Sequence, residues 1–281
     1  MNDKPILITG CSSGIGLHLA QSLEISGYKV FTSARKPADV EKLISQGLRC
    51  LQLDVADPES IQAAAKTLLE QTDGKLYALI NNAGFGQPGA VEDLTRNILR
   101  EQFETNFFGL VELTNIVLPI MHQQGYGRII NISSVLGFVA MPFRGAYIAS
   151  KFALEGVSDT LRLELKNTNV YVSLIEPGPI ISRFRQNSLE LFNKNIDSKN
   201  SRFHKKYQKT IARLETKGPA VPFTLGPEAV TKKVLHSLHS TKPKSRYFVT
   251  FPTYFFYYLK RLLPVKVLDY LLLKSSTAEY R

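Results

Sequence analysis

Short apolar runs alternate with longer amphipathic stretches through the first two thirds of the chain. PILIT (5–9), YKVFTSA (28–34), LRCLQLD (48–54), LYALIN (76–81), RIINIS (128–133) and VYVSLIEP (170–177) read as buried strands. Between them, 15–26, 58–72, 93–124 and 146–166 have the length and period of helices. Strands alternating with helices imply βαβ units, right-handed crossovers and a parallel sheet. The expected fold class is α/β, a doubly wound parallel sheet with helices on both faces. No repeat, low-complexity run or flexible linker divides the region, so one domain is expected over 1–251.

After Gly178 the alternation stops. Residues 183–217 are polar, basic and broken, and read as a mobile or helical insertion over the sheet, with 183–222 covering the substrate. LGPEAVTKKVLHSLHS (225–240) reads as a helix with Pro227 in its first turn, and RYFVTF (246–251) as a final strand. Residues 252–281 form a basic, apolar extension. The stretch 247–273 is long enough to suggest a membrane span. Yet Lys260, Arg261, Lys266 and Asp269 interrupt it and Pro252 and Pro264 break it, so a span is not expected. Two readings stay open: a helix packed on the sheet or on a second subunit, or a basic amphipathic segment lying in the membrane interface.

Charge sharpens the second reading. Residues 1–182 hold 15 Lys+Arg and 18 Asp+Glu, a net −3, so the remaining 99 residues hold 35 − 15 = 20 and 24 − 18 = 6, a net +14. The excess could serve an anionic membrane or a nucleic acid. No nucleic-acid motif or dense basic patch accompanies it, so no nucleic-acid partner is expected. Cys11 and Cys50 make neither a disulfide framework nor a metal pair, and both read as buried small hydrophobes. The five histidines (18, 122, 204, 236 and 239) form no ligand cluster, and no metal is expected. Glu155, Asp159 and Glu164 read as a solvated helix face. The N-terminus lacks signal-peptide features, making the cytoplasm the expected compartment, with membrane association through the tail left open.

The candidate chemistry starts after the first strand. In TGCSSGIG, Gly10, Gly14 and Gly16 let the backbone turn tightly and approach a pyrophosphate at the N-terminus of the next helix, with Ser12, Ser13 and Ile15 completing the turn. At the end of the second strand an acidic residue would select NAD, and an arginine would accept the 2′-phosphate of NADP. Ala34 stands at the acidic place and Arg35 follows it, so the expected cofactor is NADP(H). In RGAYIASKFALE (144–155), Tyr147 and Lys151 lie one helical turn apart. The same spacing recurs at Tyr270 and Lys274, so it carries meaning only with its surroundings.

Those surroundings resemble the short-chain dehydrogenase/reductase family from about residue 5 to 180. TGCSSGIG is similar to its cofactor turn; Asp54 and Val55 match its adenine-side positions; Asn82, Ala83 and Gly84 of NNAG match the end of its fourth strand. Asn106 in TNFFG, Ser134 in NISSVLG, Tyr147 and Lys151 match its catalytic tetrad, with Ser134 thirteen residues before Tyr147. EPGPI, with Pro177, Gly178 and Ile180, resembles the segment at the nicotinamide carboxamide; Ser182 stands where a threonine is usual. The branch most resembled holds 17β-hydroxysteroid and retinol dehydrogenases, and FTLGPEAV with KRLLP is similar to bacterial oxidoreductases linked to aldehyde reduction.

The resemblance implies a Rossmann-type fold and hydride transfer between NADP(H) and a carbonyl or alcohol. A phenol with an ordinary pKa of about 10 is a poor acid–base group at neutral pH, and the Lys151 ammonium is expected to lower it. Ser134 would polarise the substrate oxygen, Lys151 would also hold the nicotinamide ribose, and Asn106 would fix a water near Lys151. Leu136, Phe138, Phe143, Phe184 and the insertion are the expected pocket walls, suited to a lipophilic aldehyde, ketone or alcohol. The alternative is a silent nucleotide-binding or sensor protein on the same fold, against which the intact tetrad speaks.

Overall fold

The computed structural model describes residues 4–216, 218–219 and 221–278. Seven parallel strands form one sheet in the order β3-β2-β1-β4-β5-β6-β7. They are β1 (Pro5–Ile8), β2 (Lys29–Ala34), β3 (Arg49–Gln52), β4 (Ala78–Asn81), β5 (Gly127–Ile132), β6 (Val170–Glu176) and β7 (Arg246–Phe248). Register follows the predicted runs, for example Ile6 beside Val30 and Ala78, and Ile130 beside Ser173.

Period two explains why the strands are apolar throughout. Ile6 and Ile8 enter one core with Leu19 and Leu23 of α1 (Gly14–Ile25) and Val230 and Val234 of a later helix, Glu228–His239. Leu7 and Ile129 point the other way, onto Leu68 of Pro58–Gln71 and Leu113 and Val117 of Gly109–Gln124. Both faces are therefore covered. Sheet order reverses between β1 and β4, which places the ligand crevice at their carboxyl ends.

Several elements depart from the expectations. A helix, Pro37–Ser45, follows Arg35 directly. The predicted helix 93–124 is Arg96–Phe103 and Gly109–Gln124 joined by a π-helical turn, Glu104–Phe108. The insertion is helical, one of the two forms expected for it, with helices Phe184–Asn195 and His204–Glu215. Tyr207 anchors the second: its hydroxyl accepts from the Ala90 amide at 2.8 Å and donates to Asp93. The final strand stops at Phe248, and the tail folds into two helices, Phe251–Leu262 and Val265–Ala278, where an open choice had been left. Phe256 and Leu272 of these helices are buried with Leu136, Val139 and Ile148. Among the described residues no helix is long and apolar enough to cross a membrane.

Candidate active site

The glycine turn is held by its neighbours before any ligand meets it. The Asn82 amide donates to the carbonyls of Thr9 and Gly10, both at 2.9 Å, and Thr9 Oγ1 accepts from the amides of Asn82 and Ala83. The Asn82 side chain therefore braces the turn. Gly16 is obligatory here, because a Cβ would lie 2.3 Å from the Gly10 carbonyl oxygen and 2.5 Å from Asn82 Nδ2. Ser13 stands extended at the N-cap of α1 and its hydroxyl makes no cap hydrogen bond. The first-turn amides and the Ser12 and Ser13 hydroxyls face a cavity of about 970 Å³. This cradle suits a pyrophosphate.

The opposite wall comes from α6 (Gly145–Glu164) and the turn after β5. Ser134, extended, caps the short turn Val135–Gly137 by accepting from the Leu136 amide at 3.1 Å. Its hydroxyl acts on the Tyr147 phenol in the sense that favours the phenolate. Lys151 donates to the Ile132 carbonyl at 2.7 Å, and its Nζ lies 5.7 Å from the Tyr147 ring centre. Burial pushes the phenol up to about 12, against the pull of Ser134, and burial pulls Lys151 down to about 8, against the Glu155 charge. The expected lowering of Tyr147 by Lys151 is not found. Desolvation wins at both groups, which disfavours phenolate and ammonium alike.

Leu136, Phe143, Phe184, Pro177, Gly178, Ile180 and Ser182 line the same cavity, as does Gly84 beside Ala83. Phe184 meets the Tyr147 ring edge to face at 5.3 Å. Phe143 is held at φ +61°, a sparsely populated conformation for a bulky residue, and rests on Phe203 and Tyr207. Phe138 does not belong to the wall. It turns away onto Phe248 and Tyr257, because the tail helices offer it an aromatic cluster. The tail itself supplies wall that the sequence reading missed, including Phe251, Phe255 and Lys274.

Besides Phe138, four expected residues lie outside the cavity lining. Arg35 is exposed at the end of β2, where Gln52 holds its carbonyl at 3.5 Å. Asp54 accepts from the Ala56 amide at 3.0 Å, and Val55 is buried. Asn106, in the π-turn, has its amide fully committed: it accepts from the Phe85 amide at 3.1 Å and donates to the Phe85 carbonyl at 3.0 Å and Ser150 Oγ at 3.1 Å. The structure gives this side chain the task of tying the end of β4 to α6. Glu155 corrects a further expectation. It is buried and bonded to Ser133 and Arg246, whereas Asp159, which also pairs with Arg246, and Glu164 keep solvated side chains. Cys50 is only half-buried.

Residues 4–191 match the short chain dehydrogenase family model. The chain belongs to this family. It is 46% identical over 269 residues to the uncharacterized oxidoreductase YbbO of Escherichia coli K12, covering 96% of this chain and 94% of that protein. It is 35% identical to human 17-beta-hydroxysteroid dehydrogenase type 1, covering 87% and 77%, and 39% identical to human retinol dehydrogenase 8, covering 64% and 60%. Among solved structures, serine dehydrogenase complexed with NADP+ matches with TM-score 0.73 at 25% identity, covering 89% of this chain and 95% of that one. A Burkholderia phymatum family member in complex with NAD matches at 0.75 and 23%, covering 93% and 95%, a likeness of fold alone. This short-chain dehydrogenase is thus an oxidoreductase of CH–OH or carbonyl groups whose fold takes a nicotinamide cofactor.

Proposed function

We propose that the protein is an NADP(H)-dependent oxidoreductase interconverting a lipophilic aldehyde or ketone and its alcohol, with Tyr147 as the acid–base group. The observation that carries this reading is that Ser134, Tyr147 and Lys151 face one cavity with the glycine turn. A nicotinamide bound there supplies the hydride in reduction and receives it in oxidation. Ser134 donates to the substrate oxygen as charge develops on it. Tyr147, whose phenol burial holds in the protonated form, gives that oxygen its proton in reduction, and in oxidation the phenolate takes one back. Lys151 adds positive charge beneath the ring and holds the ribose.

Support for NADP(H) is the pairing of Ala34 with Arg35 where an acidic residue would favour NAD. Support for a lipophilic substrate is the lining of Leu136, Phe143, Phe184, Phe223, Phe251 and Phe255, together with the steroid and retinol named in the relatives. Peripheral membrane contact belongs to the same reading. Away from the cavity the tail helices expose Tyr258, Leu262, Val265 and Tyr270, and the basic residues Lys260, Arg261 and Lys266 outnumber Asp269. Such a face suits an anionic lipid surface, from which a lipophilic substrate would reach the cavity.

The test is NADPH oxidation by the purified protein against aldehydes of graded chain length, ketones and sterols. Turnover that improves with chain length is expected, with kcat/KM favouring NADPH over NADH and the preference reduced in Arg35→Ala. An NADH preference in the wild type would overturn the cofactor assignment. Absence of turnover with every carbonyl would favour a silent nucleotide-binding protein.

A further inference from the structure

Behind Tyr147 and Lys151 lies a charged cluster that the proposed chemistry leaves unused. Glu155, one helical turn beyond Lys151, is 7% exposed, and Glu176 at the end of β6 is fully buried. Arg246, at the start of β7, joins them. Its Nη1 donates to Glu155 Oε2 and, at 2.5 Å, to Glu176 Oε1, while its Nη2 reaches Asp159. The other Glu155 oxygen accepts from the Ser133 hydroxyl, the neighbour of Ser134. Gly137 closes the same segment onto the cluster: a Cβ there would lie 2.7 Å from Ser133 Oγ and 2.9 Å from Glu155 Oε1.

Two buried carboxylates sharing one guanidinium, with Asp159 at the more exposed rim, cannot both stay ionised without cost. Glu155 receives two donors, Ser133 and Arg246, whereas Glu176 receives only Arg246 and leaves Oε2 buried without a partner. Burial raises both carboxyls of the pair, Glu176 to about 8 with the Glu155 charge as the second cause, while the donors on Glu155 pull against its rise. A protonated Glu176 has a hydrogen to give the adjacent Glu155 carboxylate. The Ser133 and Arg246 donors favour the anion on Glu155 rather than on Glu176.

We propose that Glu155 is a positioning residue for the reaction, clamping the Ser133–Gly137 segment that carries Ser134 and placing a negative charge one turn behind Lys151. The proposal rests on the function given above. That charge favours the ammonium form of Lys151 against its burial. Lys151 is faced also by Tyr147 of its own helix and by the Ile132 carbonyl of β5. Glu155 is faced by Ser133 after β5, Glu176 of β6, Arg246 of β7, Asp159 of its own helix, and Lys260 of Phe251–Leu262, which feels its charge.

Glu155→Gln keeps the shape and an acceptor for Ser133 but removes the charge and turns an amide donor onto Arg246. Glu155→Asp is therefore needed beside it to separate charge from geometry. The alkaline limb of kcat/KM for carbonyl reduction, which falls as Lys151 loses its proton, is expected to move to lower pH by about half a unit or more. The alkaline limb of nucleotide affinity, read by fluorescence, is expected to move with it. Glu155→Asp is expected to restore both limbs even where Tm falls. Coincident limbs in wild type and Glu155→Gln, with only Tm lowered, would make the cluster purely structural and overturn the proposal. Limbs displaced equally in the Asp variant would trace the effect to geometry and overturn it too. A wild type that turns over no carbonyl removes the proposed function instead. The affinity profile of whichever of NADPH or NADH binds then decides the role of Glu155 alone.

Discussion

Burial moves the two titratable groups of α6 apart in the same sense, toward their neutral forms, with Tyr147 up to about 12 and Lys151 down to about 8. For the phenol this means a proton ready to donate, and Tyr147→Phe is expected to lower kcat/KM by about 100-fold or more. NADPH affinity should change little, and steady-state rates beside a fluorescence titration would check both. For Lys151 the linkage has a definite sign. Its folded pKa lies below the unfolded value of 10.5, so between about 8 and 10.5 the unfolded chain binds the extra proton. Stability from this group therefore rises as pH climbs through that window. The Tm of the wild type should gain on that of Lys151→Met from pH 7 to pH 9.5, the difference cancelling titrations common to both. A constant difference would show that burial does not set the Lys151 titration.

At the scale of elements, the phosphate cradle depends on an interlocked pair, the turn after β1 and the end of β4. Gly16→Ala would force its methyl into the Gly10 carbonyl and the Asn82 amide, neither of which can yield without opening the turn. Nucleotide affinity is expected to fall by about tenfold or more while the sheet stays folded, as read by titration beside circular dichroism. The tail helices dock through few residues. Phe256 is 7% exposed among Leu136, Val139 and Ile148, close to Ser134 and Tyr147. Phe256→Ala is expected to cost about 3 kcal/mol of stability. Because the same helices line the cavity, KM for a long-chain substrate should rise more than kcat falls. An unchanged KM with a lowered Tm would confine Phe256 to packing.

For the whole molecule, the asymmetry between a net −3 over residues 1–182 and +14 over the rest acquires a location. Part of it sits on helices that bury one face against the site and expose aromatic and aliphatic residues on the other. The protein is expected to co-sediment with vesicles containing anionic lipid at low salt. Replacing Lys260, Arg261 and Lys266 together by Glu should abolish this while leaving nucleotide binding intact. These substitutions test the face better than deletion of 252–281, which would remove wall from the cavity itself. Equal recovery in the supernatant with and without vesicles would reject membrane contact.

The alternation of apolar runs and helical stretches by itself determined the parallel sheet, because a strand covered on both faces has no solvent side to record in its pattern. The cradle and the Tyr147–Lys151 face were legible for a similarly local reason: glycine spacing dictates the turn, and four residues make one helical turn. Tertiary structure alone decided what depends on approach between distant segments. Glu155 reads as a surface residue within its helix, and only the arrival of Arg246, 91 residues later, makes its burial tolerable. The motif places Asn106 near Lys151, but only the π-turn shows its side-chain amide bridging Phe85 and Ser150. On sequence grounds the tail could pack on the sheet or a second subunit, or lie in a membrane interface. Its fate turned on an aromatic surface, built from Leu136 to Phe138 and Phe248, that exists only once the sheet has formed.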